Sequence, residues 1–488
     1  MNPATIRPAI YARVSSDQQA QENTIASQVD ALKQRFGAQA FRLWEADLES
    51  YDSAIDADLI EESKLQSDYT SLFGGIAVKF QGKRMTLAEL RGYLNRPDRE
   101  LRHAAELARW SAIGAHGEEL DRLFADLVKV RDRIGKTLGR DGFVPVAYAR
   151  MHRVDYDRND VARWRDAVVR DVVPLASRII ERCGERFGYR VMSWDESVLL
   201  DGDANPTISG EGIVASLPDV LGDVDSRLGS FAKFMRDREF LDLFAREGKG
   251  PGGFCTSFPT EGHPFIFASF NGTKDDVNVL VHEMGHAFQS YSSRRLPLED
   301  YLTPTFESAE IHSMSLEFLA WPSMERYFSD RASTYRNEHL ASRLLFLPYG
   351  CAVDHFQHLV YERPDASPDE RRTMWLELEK RYLPWRRYGD IEYPSRGNVW
   401  QQQLHIYTYP FYYIDYTLAQ CCALQFWALA QDERKDAVER YVALCARGGS
   451  ASFGELVASA GLRSPFGGEA LTRVVEAATK YLKTTGLI

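Results

Sequence analysis

No stretch of this sequence is long and apolar enough to cross a bilayer. Its longest apolar runs, such as Phe265 to Phe270, fall far short of the ~20 residues that a membrane helix needs. Nor does the segment Met1 to Ile10 carry the apolar core of a secretion signal. Cysteine is scarce: Cys183, Cys255, Cys351, Cys421, Cys422 and Cys445 show no C-x-x-C spacing, which excludes a zinc knuckle and argues for reduced thiols over a disulfide frame. Positive charge is not in excess. With 59 Lys and Arg against 70 Asp and Glu, the net charge of −11 argues against a phosphate-tracking surface. These absences describe a soluble, cytoplasmic protein with no membrane and no nucleic acid partner. At 44% hydrophobic and 12% aromatic, the 488 residues have ample material for a packed core.

Strand signals are also few. Residues 98–136, 159–184, 222–247, 332–363 and 366–383 repeat apolar positions at three- and four-residue spacing, the period of amphipathic helices packed on one another. The best strand is Phe265 to Phe270, closed by the turn pair Asn271-Gly272; a weaker one is Ile76 to Phe80, followed by Gln81-Gly82. The expectation is a mainly α chain with a small sheet.

Histidine is infrequent, 11 in all, yet two fall in Val281-His282-Glu283-Met284-Gly285-His286, an H-E-x-x-H motif. Asp275 and Asp276 favour a helix start, and Val277, Leu280, Val281, Met284, Ala287 and Phe288 recur at helical spacing, which predicts one helix over 277–292. His282 and His286 then sit one turn apart on one face, where two imidazoles can share a Zn²⁺, with Glu283 beside them to act on a water. A third ligand is needed. A second helix, opening near Thr303-Pro304, carries Glu307, Glu310 and Glu317 on one side among Ala309, Ile311, Met314, Leu316 and Phe318. Such apolar company disfavours a solvated acidic face, and a buried carboxylate needs a partner. Spacing leaves Glu307, Glu310 and His312 all open as the ligand.

A further polar cluster runs His405-Ile406-Tyr407-Thr408-Tyr409-Pro410-Phe411-Tyr412-Tyr413-Ile414-Asp415-Tyr416. Pro410 is expected to open a helix there, with Tyr412, Tyr413 and Tyr416 on one side; Tyr407, Phe411 and Tyr412 read as core. Asp354-His355-Phe356-Gln357-His358 reads as helix surface. The strand 265–270, if at a sheet edge, offers backbone to a peptide. Gly252 and Gly253 offer either a plain turn or the hinge of a closing loop.

In this order the motifs resemble the thimet oligopeptidase and oligoendopeptidase F family of zinc metallopeptidases, the oligoendopeptidase F branch above all. The likeness rests on the H-E-x-G-H motif, on Glu310 standing 24 positions after His286 within Glu310-Ile311-His312-Ser313-Met314-Ser315, and on the runs Leu59 to Leu65, Gly252 to Phe258, Phe265 to Gly272 and the His405 region. It covers roughly residues 43–488. The resemblance implies a bilobed, mainly α, zincin-like fold with a small β-sheet beside the active-site helix and a deep central channel. It further implies a metalloendopeptidase that cuts internal bonds of short unfolded peptides, with one Zn²⁺ per chain held by His282, His286 and Glu310. Glu307 becomes a hydrogen-bond partner for a ligand histidine. Glu283 is implied to take the proton of the attacking water and return it to the leaving amine. His405 with Tyr409 and Tyr416 is implied to stabilise the oxyanion, Tyr413 being a lesser choice.

The start of the chain departs from this pattern. Ala9 to Gln19 and Thr24 to Gln28 resemble the beginning of serine recombinases, which implies Ser15 as a nucleophile toward DNA phosphate and Arg13 as its phosphate ligand. The likeness ends near residue 40, far short of a recombinase catalytic domain, so residues 1–42 are expected to be a fragment without a function of its own. A working recombinase, or an inactive and unstable chimeric remnant, are the alternatives to the peptidase.

Overall fold

The computed structural model describes residues 30–198, 205–246, 249 and 252–488; Arg13 and Ser15 lie outside the described residues. Helix accounts for 72% of the described residues, and strand among them is confined to one hairpin and one three-stranded sheet, the mainly α architecture expected. Helices α1 (Ala38–Ser50) and α2 (Asp56–Gly75) lead into the hairpin β1 (Ala77–Phe80) and β2 (Lys83–Thr86). Its two turn residues, Gln81 and Gly82, both have positive φ (49° and 77°), the geometry that matches strand twist. Helix α1 runs across residues 42 and 43, so no break in the chain marks the boundary read there from the sequence.

Side-chain caps set the starts of the next helices. Thr86 and Glu89 form a capping box at α3 (Leu87–Leu94), and Asp98 caps α4 (Arg99–Gly114). After α5 (Gly117–Thr137) and α6 (Val144–Arg150), an Asp157–Asp160 box opens α7 (Arg158–Phe187). The helix expected over 222–247 is instead three elements. Helix α8 (Gly210–Val224) ends where the Asp225 carboxylate accepts from the Arg227 N–H and starts α9 (Ser226–Asp237). Glu239, at φ 58°, then turns the chain into strand β3 (Leu241–Phe244).

Strands β4 (Phe254–Phe258) and β5 (His263–Phe270) complete the sheet in the order β3-β5-β4, β5 being parallel to β3 and antiparallel to β4. This corrects the idea of 265–270 as an edge: β5 is paired on both sides, and the two edges of the sheet are β3 and β4. Alternate residues of β5 (Pro264, Ile266, Ala268, Phe270) are buried and face helix α10 (Lys274–Ser293). Gly253, just before β4, also lies close to α10: a Cβ there would lie 2.6 Å from Val279 Cγ1.

Helix α11 (Phe306–Leu319) packs between α10 and α15 (Tyr413–Asp432); the chain reaches α15 through α12 (Ala332–Glu362), α13 (Pro368–Tyr382) and the short α14 (Leu404–Thr408). Residues 310–320 are all buried, so from Glu310 onward α11 is a central helix without a solvent face. Two expectations change here. The 354–358 segment of α12 is not helix surface: Asp354, Phe356, Gln357 and His358 are buried, with Asp354 accepting from Arg165 at 2.7 Å. Pro410 does not open a helix, because Phe411 takes a left-handed φ of 68° and α15 begins only at Tyr413. The α16 (Arg434–Arg447), α17 (Phe453–Ser459) and α18 (Glu469–Thr484) helices close one hydrophobic core shared by most of the chain.

Candidate metal centre and active site

Helices α10 and α11 meet at Gly285. A Cβ there would lie 2.6 Å from His312 O and 2.6 Å from Ser313 Cα, so only glycine permits this approach. The contact brings Glu310 against both histidines of α10. Its Oε2 lies 3.2 Å from His282 Nε2 and 3.5 Å from His286 Nε2, and one ligand atom from each of the three residues lies within 4.8 Å of the others.

The tautomer of His282 is set from behind. Glu317, one more helical stretch along α11, accepts from His282 Nδ1 at 2.7 Å and from His339 Nε2 at 2.6 Å, and also from Arg343. Trp321 Nε1 donates to His339 Nδ1 at 3.1 Å, which leaves the proton of His339 on the nitrogen facing Glu317. With Nδ1 of His282 donating to Glu317, the Nε2 lone pair faces the Glu310 carboxylate. Two acceptors at that distance require a positive species between them, either protons on the imidazoles or a metal ion. Two imidazoles, one carboxylate and a carboxylate behind one of the histidines make a donor set that fits zinc. Burial alone would raise the Glu310 carboxyl, but the His286 and His282 imidazoles outweigh it and hold it well below the usual range. Ser313 Oγ donates to Glu310 Oε2 at 2.9 Å and Tyr412 OH to Oε1 at 3.1 Å, fixing both oxygens.

Glu283 is buried beside the two histidines on α10, and its charge reaches Cys255 on β4 and Tyr416 on α15. His405 stands opposite, with ring centroids 5.5 Å from Tyr412, 5.1 Å from Tyr413 and 5.9 Å from Tyr416. Gln403 Oε1 accepts from Tyr349 at 3.0 Å, so its amide nitrogen faces His405 Nδ1 at 3.0 Å and leaves the imidazole proton on Nε2. Burial, against the opposing Glu310 charge, pushes His405 down to about 4, so the ring is neutral at pH 7. Burial and Glu310 together push the Tyr412 and Tyr416 phenols well up, keeping both as donors.

His282, Glu283, His286, Glu310, His405 and Tyr416 thus come together. Tyr409 does not join the ring cluster: it is 58% exposed at the end of α14, because the left-handed turn at Phe411 carries the following tyrosines inward and leaves it outside. Tyr412, read as core from the sequence, is instead a direct partner of Glu310. Glu307 does not reach a histidine. Its carboxyl accepts from Thr305 Oγ1 at 2.9 Å, and burial with the Asp415 charge beside it pushes it above the usual carboxylate range. Glu317 holds His282, the role expected of Glu307. Its signal was its place on the same side of α11; His339 and Arg343, some twenty residues further on, had none.

Comparison with known proteins gives a consistent picture. The family model described as peptidase family M3 matches residues 228–475, which contain every member of the cluster. The oligopeptidase PepF of Bacillus subtilis (strain 168) is 23% identical over 239 residues, 47% of this chain and 34% of that protein. An oligoendopeptidase F homologue of Borreliella burgdorferi is 24% identical over 253 residues, 49% of this chain and 40% of that protein. The chain therefore matches little more than a third of the length of these curated relatives. Among solved structures, PZ peptidase A with an inhibitor superposes with a TM-score of 0.90 at 41% identity, over 96% of this chain and 84% of that one. A protein assigned as an oligoendopeptidase F gives 0.90 at 44% identity over the same shares.

Proposed function

Since the chain belongs to peptidase family M3, we propose that it is a zinc-dependent endo-oligopeptidase that hydrolyses internal bonds of short unfolded peptides, with residues 43–488 as its catalytic unit. The observation that carries this reading is the convergence of His282, His286 and Glu310 ligand atoms within 4.8 Å, beside Glu283. His282 Nε2, His286 Nε2 and Glu310 would hold one zinc ion. When bound, zinc supplies a Lewis acid that brings a water's pKa toward 7.

The remaining work falls to the chain. Glu283 takes the proton of the attacking water and passes it to the leaving amine. His405, donating from Nε2, and the hydroxyl of Tyr416 offer hydrogen bonds to the oxyanion that forms at the scissile carbonyl. Tyr412 and Ser313 hold Glu310 while this happens. The free edge of β4 lies along α10 and offers backbone donors and acceptors to an extended peptide, a contact that reads main chain rather than side chains.

Cleavage of a quenched-fluorescent peptide tests the reading. Activity is expected to vanish with chelator and return with zinc. Glu283→Gln is expected to bind one zinc per chain yet lose about 10²–10⁴-fold in kcat. Chelator-insensitive cleavage, or full activity in that variant, would sink the mechanism.

A further inference from the structure

We infer that Arg153 and Gln357 are positioning residues of this site: from opposite sides they clamp the Phe411 peptide unit and thereby hold Tyr412 and Tyr416 at Glu310. The inference rests on the peptidase reading above and adds to it two residues far from the reacting atoms in sequence.

Phe411 is buried and left-handed, φ 68°, a conformation unfavourable for a bulky side chain and stable only where the surroundings over-determine it. Its peptide groups are held on both sides. Gln357 Oε1 accepts from the Phe411 N–H at 2.8 Å, while Gln357 Nε2 donates to Val353 O at 3.2 Å and so keeps the amide oriented. Arg153 Nη2 donates to Phe411 O at 2.6 Å and to Asp415 Oδ1 at 2.7 Å, and both charged side chains are fully buried. The Phe411 ring is enclosed by His358, Tyr361 and Tyr148, with centroids at 4.9, 5.5 and 6.0 Å.

The consequence lies in the next residues. Tyr412 follows the clamped peptide directly and donates to Glu310 Oε1 at 3.1 Å. Tyr416 stands one turn later, its ring 4.8 Å from that of Tyr412, and Asp415, tied to Arg153, lies immediately before it. The turn angle at Phe411 therefore sets where both phenols point. Arg153 and Gln357 come from the α6–α7 connection and from α12, and their hydrogen bonds go to Phe411, Asp415 and Val353 and not to the tyrosines they orient. This also gives a use to the 354–358 segment, whose polar residues face inward.

The test uses the zinc-loaded full chain with Gln357→Met, Arg153→Met and Arg153→Lys. A phosphinic pseudopeptide, a tetrahedral anion, is titrated calorimetrically so that site number and Kd are read separately, alongside kcat and KM. In both Met variants, zinc content and site number are expected to stay at the wild-type level and KM within about twofold, while kcat falls and the phosphinic Kd rises by about tenfold or more. Arg153→Lys, which keeps a charge and a donor, is expected to recover part of this loss. Fewer sites with unchanged Kd and unchanged kcat per site would assign both residues to folding alone and overturn the inference, as would variants indistinguishable from wild type. If the Arg153 variants do not fold, Gln357→Met alone decides. A wild-type chain that neither cleaves peptide nor binds the probe overturns the peptidase reading first, and the clamp with it.

Discussion

Three glutamates on α11 have three different fates, and each is set by what stands across from it. Glu310 faces two imidazoles, Glu317 accepts from His282, His339 and Arg343, and Glu307 accepts from the Thr305 hydroxyl with no histidine against it. Because Glu317 orients a histidine of the proposed zinc site without itself being one of the proposed ligands, Glu317→Gln is expected to weaken zinc binding by about 10–100-fold. Competition with a chromophoric chelator measures this; wild-type affinity in the variant would remove Glu317 from the site. Spacing on a helix gives the angle of each side chain about the axis, and that much was legible. Which angle meets histidine or arginine and which does not depends on neighbours tens of residues away, so Glu307 was assigned the task that Glu317 performs.

At the scale of elements, the proposed site is an encounter of two helices and a strand edge. Gly285 controls the first. Gly285→Ala would place a methyl 2.6 Å from the α11 backbone, and main chain cannot rotate away as a side chain can. The expected result is a loss of about 1–3 kcal/mol in stability together with reduced zinc occupancy, read by denaturant unfolding and by metal analysis. Unchanged occupancy would show that the helix approach is not what assembles the ligands. Strand β4 is the second, as the edge proposed to bind peptide. N-methylation of one substrate amide that pairs with this edge is expected to raise KM about fivefold, the worth of about one backbone hydrogen bond. If no position in a methyl scan changes KM, the edge does not bind peptide. The helix carrying His282 and the strand β5 were both readable, since each has a buried face with its own period. That β5 is central and β4 an edge was not, because strand order is a property of pairing and alternation is a property of one strand.

Across the whole molecule, buried charge ties the first third of the chain to the short helix α14 that carries His405. Arg131 on α5 donates to Glu62 on α2 at 2.6 Å and to the Ile406 and Tyr407 carbonyls at 3.4 and 2.5 Å, while Arg150 reaches the other Glu62 oxygen at 3.0 Å. Burial raises the Glu62 carboxyl, but the two arginines outweigh it and leave it below the usual value. A carboxyl depressed in the folded state binds its proton more weakly there than when unfolded. Its contribution to stability is therefore complete above the unfolded value and is lost as pH falls through the folded one. Stability is expected to decline below about pH 4.5, and Glu62→Gln to flatten that acid limb while costing about 3–5 kcal/mol at pH 7 through the uncompensated Arg131. An acid limb of unchanged steepness would show that Glu62 is not the group responsible. By itself, the sequence determined the mainly helical architecture, the helix of His282 and His286 and its sheet partner, because periodicity and capping act over a few residues and need no distant contact. The tertiary structure alone decided that Glu317 stands behind His282, that Tyr412 rather than Tyr409 turns inward, and that Arg131, Arg153 and Gln357 hold the segment 406–411. Each of these depends on a long-range approach of two backbones, fixed by the packing of the whole core and not by any pattern within a single segment.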